Sequence, residues 1–179
     1  MQTSLTGLRV LLRPCRADDA DAVFDACQDP EVQRWTTVPV PYGSDDAVHF
    51  VTQIAAETAD DGGALFAVVD RAGGELVGSI GLFPPRDGVG EIGYWSVAGF
   101  RGRGLMTEAL VALSRWALDD RGLRRVELRV DPRNTASRRL GERAGFRVEG
   151  TLRQRSLHRG DPVDDVVLGL LAADPRPEG

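Results

Sequence analysis

Lysine is absent from the 179 residues of this sequence, although the chain carries 22 arginines. A nucleotide-binding P-loop needs a lysine after its glycine-rich turn, so this class of phosphate site is excluded. Cysteine is scarce, and Cys15 and Cys27 are too few for a disulfide scaffold, which predicts free thiols. The two histidines, His49 and His158, show no metal-ligand spacing, so we expect no metal cofactor.

Long apolar runs and a leader sequence are also lacking. No segment approaches the roughly 20 apolar residues of a membrane-spanning helix, and the first residues lack the charged and apolar regions of a signal peptide. These absences predict a cytoplasmic protein that does not contact a membrane. Aromatic residues make up only 6% of the chain and the formal net charge is −5, which disfavours direct binding of nucleic acid.

Positive charge is concentrated in one part of the chain. Residues 101–159 contain 15 arginines and 7 acidic residues, whereas residues 1–100 contain 6 arginines and 15 acidic residues. A basic segment within an acidic protein suits an anionic ligand. Because most surface arginines are merely solvated, we assign ligand roles only to those that lie near a binding motif.

Apolar alternation and turn residues divide the chain into strands and helices. Strands are predicted over residues 8–13, 64–70, 75–83, 90–97, 125–130, 146–155 and 163–171, and helices over 18–28, 31–35, 44–59, 105–119 and 135–144. A chain with 42% hydrophobic residues can bury one core, so we predict one domain at 1–173 and a short tail at 174–179. The expected fold class is α/β (α+β), with a mixed, mainly antiparallel, seven-stranded twisted sheet flanked by four to five helices.

The segment between strand 90–97 and helix 105–119 is the most informative, and it reads Arg101-Gly102-Arg103-Gly104-Leu105-Met106-Thr107. Glycines allow a backbone turn that points successive N–H groups into one concavity, and a helix N-terminus adds further unpaired N–H groups. Such a place binds a phosphate or pyrophosphate, and two arginines can neutralise its charge. A dinucleotide fingerprint needs a third glycine, where this chain has Thr107. The motif therefore predicts a phosphorylated cofactor of another kind.

Further motifs accompany this loop in a fixed order. They are Asp29-Pro30-Glu31-Val32, Glu91-Ile92-Gly93-Tyr94-Trp95, Asp131-Pro132-Arg133-Asn134-Thr135-Ala136-Ser137, and Leu140-Gly141-Glu142-Arg143-Ala144-Gly145-Phe146. With Arg101 and Gly104 of the loop, they resemble the GCN5-related N-acetyltransferases (GNAT), although Met106 replaces a small residue. The segments at 29–32 and 91–95 are similar to the RimJ/RimL-type branch, which acetylates the N-termini of ribosomal proteins. The resemblance extends from about residue 8 to residue 170.

The resemblance implies acetyl-CoA as the cosubstrate, with its pyrophosphate on the loop 101–107. It also implies that two central strands splay apart, and that a bulge near Ser96 and Val97 turns free N–H groups toward the thioester. Asn134 and Ser137 are expected on the other side of the gap, although Asn134 could instead cap the helix that follows it.

The implied activity is acetyl transfer, in a ternary complex, to a primary amine, preferably the N-terminal α-amine of a protein or peptide. A small amine or an antibiotic is the alternative acceptor. A non-catalytic acyl-CoA-binding domain is the alternative to an enzyme.

Amine acetylation needs a base, because a protonated amine cannot attack a thioester, and it benefits from a donor to the departing thiolate. The catalytic residues predicted here are Glu91 as the base and Ser137 as the donor. A structural ion pair is the alternative interpretation of Glu91. Two positions depart from the family pattern: Gly141 stands where many members have a tyrosine donor, and Ser156 stands where the ribosomal-protein branch has a glutamate base. Tyr94 is a second candidate donor.

The acceptor amine is expected to lie against Trp35 and Tyr42, the predicted substrate-binding residues. The loop 36–43 and the connection 156–161 would line the same site, while core packing is the alternative interpretation of both aromatic residues. The acidic residues Asp45-Asp46, together with Asp164-Asp165, suit a cationic amine, although Asp45 and Asp46 are equally typical of the first turn of a helix. The expected partners are acetyl-CoA and this amine, and a monomer and a homodimer both agree with the sequence.

Overall fold

The computed structural model describes residues 3–177 and shows a central sheet with helices on both faces. Within this range the sheet has eight strands, β1 (Leu5–Thr6), β2 (Val10–Pro14), β3 (Ala64–Asp70), β4 (Leu76–Leu82), β5 (Val89–Ser96), β6 (Arg125–Val130), β7 (Arg147–His158) and β8 (Asp161–Leu171). The expected mixed α/β class is confirmed, with one strand more than predicted. The additional strand is β1, which is too short to show an alternating pattern.

Six α-helices flank the sheet within the same range, namely α1 (Ala20–Cys27), α2 (Pro30–Trp35), α3 (Ser44–His49), α4 (Ala55–Asp60), α5 (Leu105–Arg115) and α6 (Thr135–Arg143). A π-helical segment, Phe50–Ile54, joins α3 to α4, and a second, Trp116–Asp120, extends α5. The predicted helices 44–59 and 105–119 are therefore continuous helical stretches. None of the helices in residues 3–177 has the length and apolar character needed to cross a membrane.

The strands are arranged in the order β1-β2-β3-β4-β5-β6-β8-β7. All neighbouring strands are antiparallel except β5 and β6, which are parallel and connected through α5. These two strands pair only through residues 89–91 and 125–127, although β5 continues to Ser96 and β6 to Val130. They therefore diverge at the centre of the sheet.

Different helices cover the two faces of the sheet. The larger apolar core contains Leu110 of α5 and Phe66 of β3, both fully buried. The smaller core contains Ala47 of α3 together with residues of α1 and α2. Because successive strand residues point to opposite faces, Tyr94 of β5 packs against the larger core and Trp95 belongs to the smaller one. One strand thus contributes side chains to both sides of the sheet.

The end of the described chain is attached to the sheet and to α5. Arg176 forms an ion pair with Asp119 at 2.9 Å, and the N–H of Leu171 donates to Asp174 at 2.9 Å. Residues 174–177 therefore take part in the packed structure.

Gly145, which ends α6, has a φ of 96°, the left-handed conformation expected of a glycine at this position.

Candidate active site

The divergence of β5 and β6 opens a cavity of about 840 Å³. Residues of β5 line one wall, and the end of β6 with the start of α6 lines the other. In one direction the cavity reaches the glycine-rich loop between β5 and α5, and in the other it reaches Trp35 and Tyr42. One continuous space therefore connects a phosphate-type loop with a compartment for a second molecule.

The glycine-rich loop has the backbone geometry of an anion-binding turn. Gly102 and Gly104 have φ values of 75° and 79°, in the left-handed region that favours glycine. The N–H of Arg101 donates to a loop carbonyl, and backbone hydrogen bonding resumes only at Glu108 of α5. Within residues 3–177, the six N–H groups between these two residues have no acceptor. Free donors at a helix N-terminus are typical of a phosphate site.

The two loop arginines are placed differently. Arg101 forms an ion pair with Asp29 at 2.9 Å and donates to the carbonyl of Ser96 at 2.9 Å. It thereby ties the loop to the N-terminus of α2. Arg103 is exposed, its guanidinium lies 5.1 Å from the centre of the Phe100 ring, and within residues 3–177 it has no acidic partner. Arg103 is thus the loop arginine that is more available to an anion.

The first residues of α5 differ in where their side chains lie. The side chains of Leu105 and Met106 are buried in the larger core, whereas Thr107 lines the cavity. A Cβ at Gly78 would lie 2.8 Å from Cε of Met106, so a glycine on β4 makes room for the methionine. Met106, which replaces a small residue of the family pattern, therefore points into the core and does not block the loop.

The prediction of a bulge in β5 near Ser96 and Val97 is wrong. β4 and β5 keep one register along their whole pairing, and the N–H of Val97 donates to the carbonyl of Val77 at 2.9 Å. The side chain of Val97 packs against the smaller core. Because hydrogen-bonding direction alternates along an antiparallel strand, Tyr94 and Ser96 direct their N–H groups to the side from which β6 has diverged. The free donors of β5 arise from the splay of the strands.

The N-terminus of α6 forms the opposite wall. Oδ1 of Asn134 accepts a hydrogen bond from the N–H of Ser137 at 3.0 Å, so Asn134 caps this helix. Oγ of Ser137 lies 2.8 Å from the hydroxyl of Tyr94. Burial raises the pKa of Tyr94 to about 12, so its phenol stays protonated at neutral pH. The two walls thus present a pair of hydroxyl groups in the cavity.

Both departures from the family pattern are accommodated by the packing around them. A Cβ at Gly141 would lie 2.8 Å from Cδ1 of Leu128 and 3.1 Å from Cδ2 of Leu168, because α6 approaches the sheet closely there. A tyrosine at this position would require the core to rearrange. Ser156 replaces the glutamate of the ribosomal-protein branch, and its hydroxyl donates a hydrogen bond to the carboxylate of Asp165 at 2.6 Å.

Glu91 is the last residue of β5 to pair with β6, and its partner there is Glu127. Arg129 bridges the two carboxylates at 3.3 Å from each. Burial raises the pKa of Glu91, the charge of Arg129 opposes this increase, and the charges of Glu127 and Asp165 add to it. Glu91 therefore does form the ion pair that was the alternative interpretation of this residue. The same carboxylate nevertheless lines the cavity with a raised pKa, which is typical of a general base.

The two predicted substrate-binding residues both line the cavity. Nε1 of Trp35 donates to Glu31 at 2.8 Å, and the ring lies 4.4 Å from the guanidinium of Arg34. Tyr42 is only 6% exposed and belongs to the smaller core. Trp35 therefore has more surface available to a ligand than Tyr42.

Arg129 is a charged cavity residue that the sequence analysis did not single out, and Asp165 is one that it named only as half of an acidic pair. Arg129 reaches Glu91 only because β5 and β6 pair at this point, and its strand shows no signal of that contact. Asp165 was treated as one of an acidic pair, and the structure separates the two residues. Asp165 is 5% exposed and lines the cavity, whereas Asp164 accepts from the N–H of Gln154 elsewhere. A carboxylate within an apolar strand is the signal that points to Asp165.

Other catalytic chemistries receive little support from the side chains present. Burial raises the pKa of the Cys15 thiol to about 12 and that of the Cys27 thiol to about 11. Such thiols are protonated at neutral pH and are therefore weak nucleophiles. Within the described residues, no three or more His, Cys, Asp or Glu side chains are grouped so that they could hold a metal ion.

Diverging parallel strands, a loop of free N–H groups at the start of a helix, and a carboxylate in the same cavity suit an enzyme that brings a phosphorylated cosubstrate and a second substrate together. The sequence matches the family described as Acetyltransferase (GNAT) domain over residues 9–147. The chain therefore belongs to the GNAT family of N-acetyltransferases, whose members use acetyl-CoA.

Individual relatives agree with this assignment. Uncharacterized N-acetyltransferase p20 of Bacillus licheniformis is 28% identical over 166 residues, which cover 91% of this chain and 93% of that protein. Ribosomal-protein-serine acetyltransferase of Escherichia coli (strain K12) is 34% identical over 96 residues, which cover 52% of this chain and 53% of that protein. The structure of Mycobacterium smegmatis RimJ in complex with CoA-disulfide is 26% identical, with a TM-score of 0.84 over 95% of this chain and 88% of that chain. The expected family and the resemblance to its RimJ/RimL-type branch are confirmed.

Proposed function

We propose that this protein transfers the acetyl group of acetyl-CoA to a primary amine, with the N-terminal α-amine of a protein or peptide as the preferred acceptor. The observation that carries the proposal is the single cavity that runs from the glycine-rich loop, past Tyr94 and Ser137, to the carboxylate of Glu91. A cosubstrate held by its phosphates at the loop would have its reactive end between a proton donor and a base.

The residues around the cavity fit acetyl-CoA. The free N–H groups of residues 102–107 and the guanidinium of Arg103 would hold the pyrophosphate. Ser96, Asn134 and Ser137 line the gap that would hold the pantetheine arm and the acetyl group. The N–H of Val97 is already bonded within the sheet, so donors from β5 would come from the residues that face the gap. When bound, acetyl-CoA supplies an activated acetyl thioester.

The side chains of the cavity account for the movement of protons. Glu91 would accept the proton that the ammonium group must lose, either directly or through a water molecule. The amine nitrogen then bonds to the acetyl carbon as the carbon–sulfur bond breaks. Ser137, hydrogen-bonded to Tyr94, would donate a proton to the departing sulfur, and the second proton that the nitrogen releases on forming the amide would restore the serine hydroxyl. Both substrates react while bound together, so positioning contributes much of the rate.

The names of the relatives support a protein N-terminus as the acceptor. One relative is a ribosomal-protein-serine acetyltransferase, and a similar structure is that of RimJ. The acceptor would lie in the compartment lined by Trp35 and Tyr42, and a ribosomal-protein acceptor would place this enzyme in the cytoplasm. A monomer and a homodimer are both compatible with this site.

The test is a thiol-release assay with acetyl-CoA and a panel of amines. The panel contains peptides that start with Ser, Ala or Met, polyamines, aminoglycosides and free amino acids, and a mass increase of one acetyl group identifies each product. We expect the highest kcat/KM with a peptide. If only polyamines or aminoglycosides are acetylated, the proposed peptide acceptor is wrong, whereas the proposed acetyl transfer to an amine is supported. Binding of acetyl-CoA with no amine acetylated would favour a non-catalytic acyl-CoA-binding domain.

A further inference from the structure

Two aspartates of the described chain are almost fully buried, and only one of them has a cationic partner. Asp19 is 7% exposed and is held by Arg13 through two hydrogen bonds of 2.6 and 2.8 Å. Asp165 is 5% exposed, and within residues 3–177 no arginine or histidine forms an ion pair with it. Burying a carboxylate is unfavourable unless a cation or several donors replace the lost water. Asp165 therefore has no ion-pair partner among the described residues.

One oxygen of Asp165 is available to a molecule in the cavity. Oδ2 accepts a hydrogen bond from Ser156 at 2.6 Å, whereas Oδ1 has no donor among the described residues. Oδ1 is nevertheless not sealed inside the protein, since Ser114 Oγ is the only fully buried side-chain polar atom without a partner in this part of the chain. Asp165 and Ser156 both line the cavity. Oδ1 is thus an unpaired acceptor, not fully buried, on a residue that lines the cavity.

Asp165 lies on the same face of the sheet as Glu91. Glu91 pairs with Glu127, which in turn pairs with Gly169 of β8. Asp165 stands four residues before Gly169, and side chains on one face of a strand recur every second residue. The negative charge of Asp165 also contributes to the raised pKa of Glu91. The two carboxylates therefore share one compartment at different positions along the sheet.

We propose that Asp165, oriented by Ser156, is the anionic group that binds the cationic amine of the acceptor. This inference rests on the proposed function and adds a binding carboxylate that is separate from the base. An ammonium group is the matching ligand, because it supplies both the missing positive charge and a donor for Oδ1. Asp165 then contributes to acceptor affinity, while Glu91 acts in the chemical step.

Asp165→Asn tests this role, because it removes the charge and keeps an oxygen that can accept from Ser156. With the amine that the wild type acetylates, we expect KM for the amine to rise roughly ten- to hundred-fold, as for the loss of one charge-assisted hydrogen bond. We expect kcat and the Kd for acetyl-CoA to change little. Asp164→Asn is the matched control, since this neighbouring carboxylate bonds to the N–H of Gln154 outside the cavity, and it should leave all three constants unaltered.

Other outcomes of this kinetic test would overturn the proposal. A fall in kcat with an unaltered KM would make Asp165 part of the proton-transfer machinery. A joint loss of thermal stability and of acetyl-CoA affinity would make it a structural residue. Ser156→Ala keeps the charge and removes only the orienting hydroxyl, so it should raise KM to a smaller extent. If Asp165→Asn does not fold, an unaltered KM in Ser156→Ala contradicts the proposal.

A binding measurement separates this inference from the proposed function. The probes are 1,4-diaminobutane and the neutral 1,4-butanediol, and the readout is the shift in Tm. We expect the diamine, and not the diol, to raise the Tm of the wild type and of Asp164→Asn, with no effect on Asp165→Asn. Equal responses of the wild type and Asp165→Asn, or no response in either, would overturn the inference. If no amine in the panel is acetylated while the diamine effect depends on Asp165, the proposed acetyl transfer fails, whereas Asp165 is retained as an amine-binding group.

Discussion

The hydroxyl of Tyr94 lies 2.8 Å from Oγ of Ser137, although the two residues are 43 positions apart in the sequence. Tyr94 also donates to the carbonyl of Ser137 at 3.3 Å. The phenol therefore holds the first turn of α6 against β5 at the point where β6 has diverged. Because both residues line the cavity, one contact orders the gap and places two hydroxyl groups beside it.

Ser137→Ala is expected to lower kcat about 100-fold, because the departing sulfur loses its donor. Tyr94→Phe should have a smaller effect, since Asn134 still holds the backbone of Ser137. The two hydroxyls share one hydrogen bond, so the double variant should be less impaired than the product of the two single effects. Steady-state kinetics at saturating acetyl-CoA measure this coupling, and fully multiplicative effects would show that the hydroxyls act independently.

Glu91→Gln is expected to lower kcat at least 100-fold at pH 7, because the amine loses its proton acceptor. The Kd for acetyl-CoA should be unaltered, and the loss should shrink at high pH, where more of the amine is deprotonated in solution. A kcat equal to that of the wild type at pH 7 would exclude Glu91 as the base.

The stability of Glu91→Gln is the control for this experiment. The fold raises the pKa of Glu91, so the native state binds the proton more tightly than the unfolded chain does. The free energy of unfolding therefore falls as the pH rises from the pKa of the unfolded chain through the raised pKa of the native state. Glutamine carries no charge, so the Tm of Glu91→Gln at pH 7 is not expected to lie below that of the wild type.

Arg129→Gln is expected to move the acidic limb of kcat/KM to higher pH. The guanidinium of Arg129 counteracts the raised pKa of Glu91, and its loss leaves Glu91 beside Glu127 without the bridging charge. The measurement is the pH profile of wild type and variant with the same amine, whose own titration then cancels. Arg125→Gln is the matched control, because Arg125 contacts Glu127 and Glu149 but not Glu91. Equal shifts in the two variants would argue against a specific effect on Glu91.

Gly104→Asp is expected to weaken acetyl-CoA binding at least about tenfold, because it places a negative charge at the N-terminus of α5 among the free N–H groups. Gly104 has a φ of 79°, so any side chain also introduces backbone strain. Gly62→Asp is the matched control, with a φ of 84° and open space around it. Calorimetric titration should show weaker binding only for Gly104→Asp, and equal affinities would contradict the placement of the pyrophosphate.

The fold and the glycine-rich loop could be predicted because both depend on local chemistry. Alternating apolar residues are sufficient to locate β3 and β6, since the period of a strand is a property of the backbone. Gly102, Gly104 and Gly145 were assigned to turns or helix ends, and each has a positive φ. The strand β1 could not be predicted, because two residues carry no period. The absence of a bulge in β5 depends on its register with β4, which is a contact between distant parts of the chain.

The sequence by itself determined the α/β class, the order of the elements and the anion-binding geometry of the loop, because backbone periodicity and glycine conformations act over a few neighbouring residues. Only the tertiary structure decided which side chains meet in the cavity. Strand pairing brings Arg129 to Glu91, and the packing of α6 on the sheet brings Ser137 to Tyr94. The alternation of faces along β8 separates Asp165 from Asp164. These contacts join residues that are far apart in the chain, and their burial changes the charge and hydrogen bonding on which the chemistry depends.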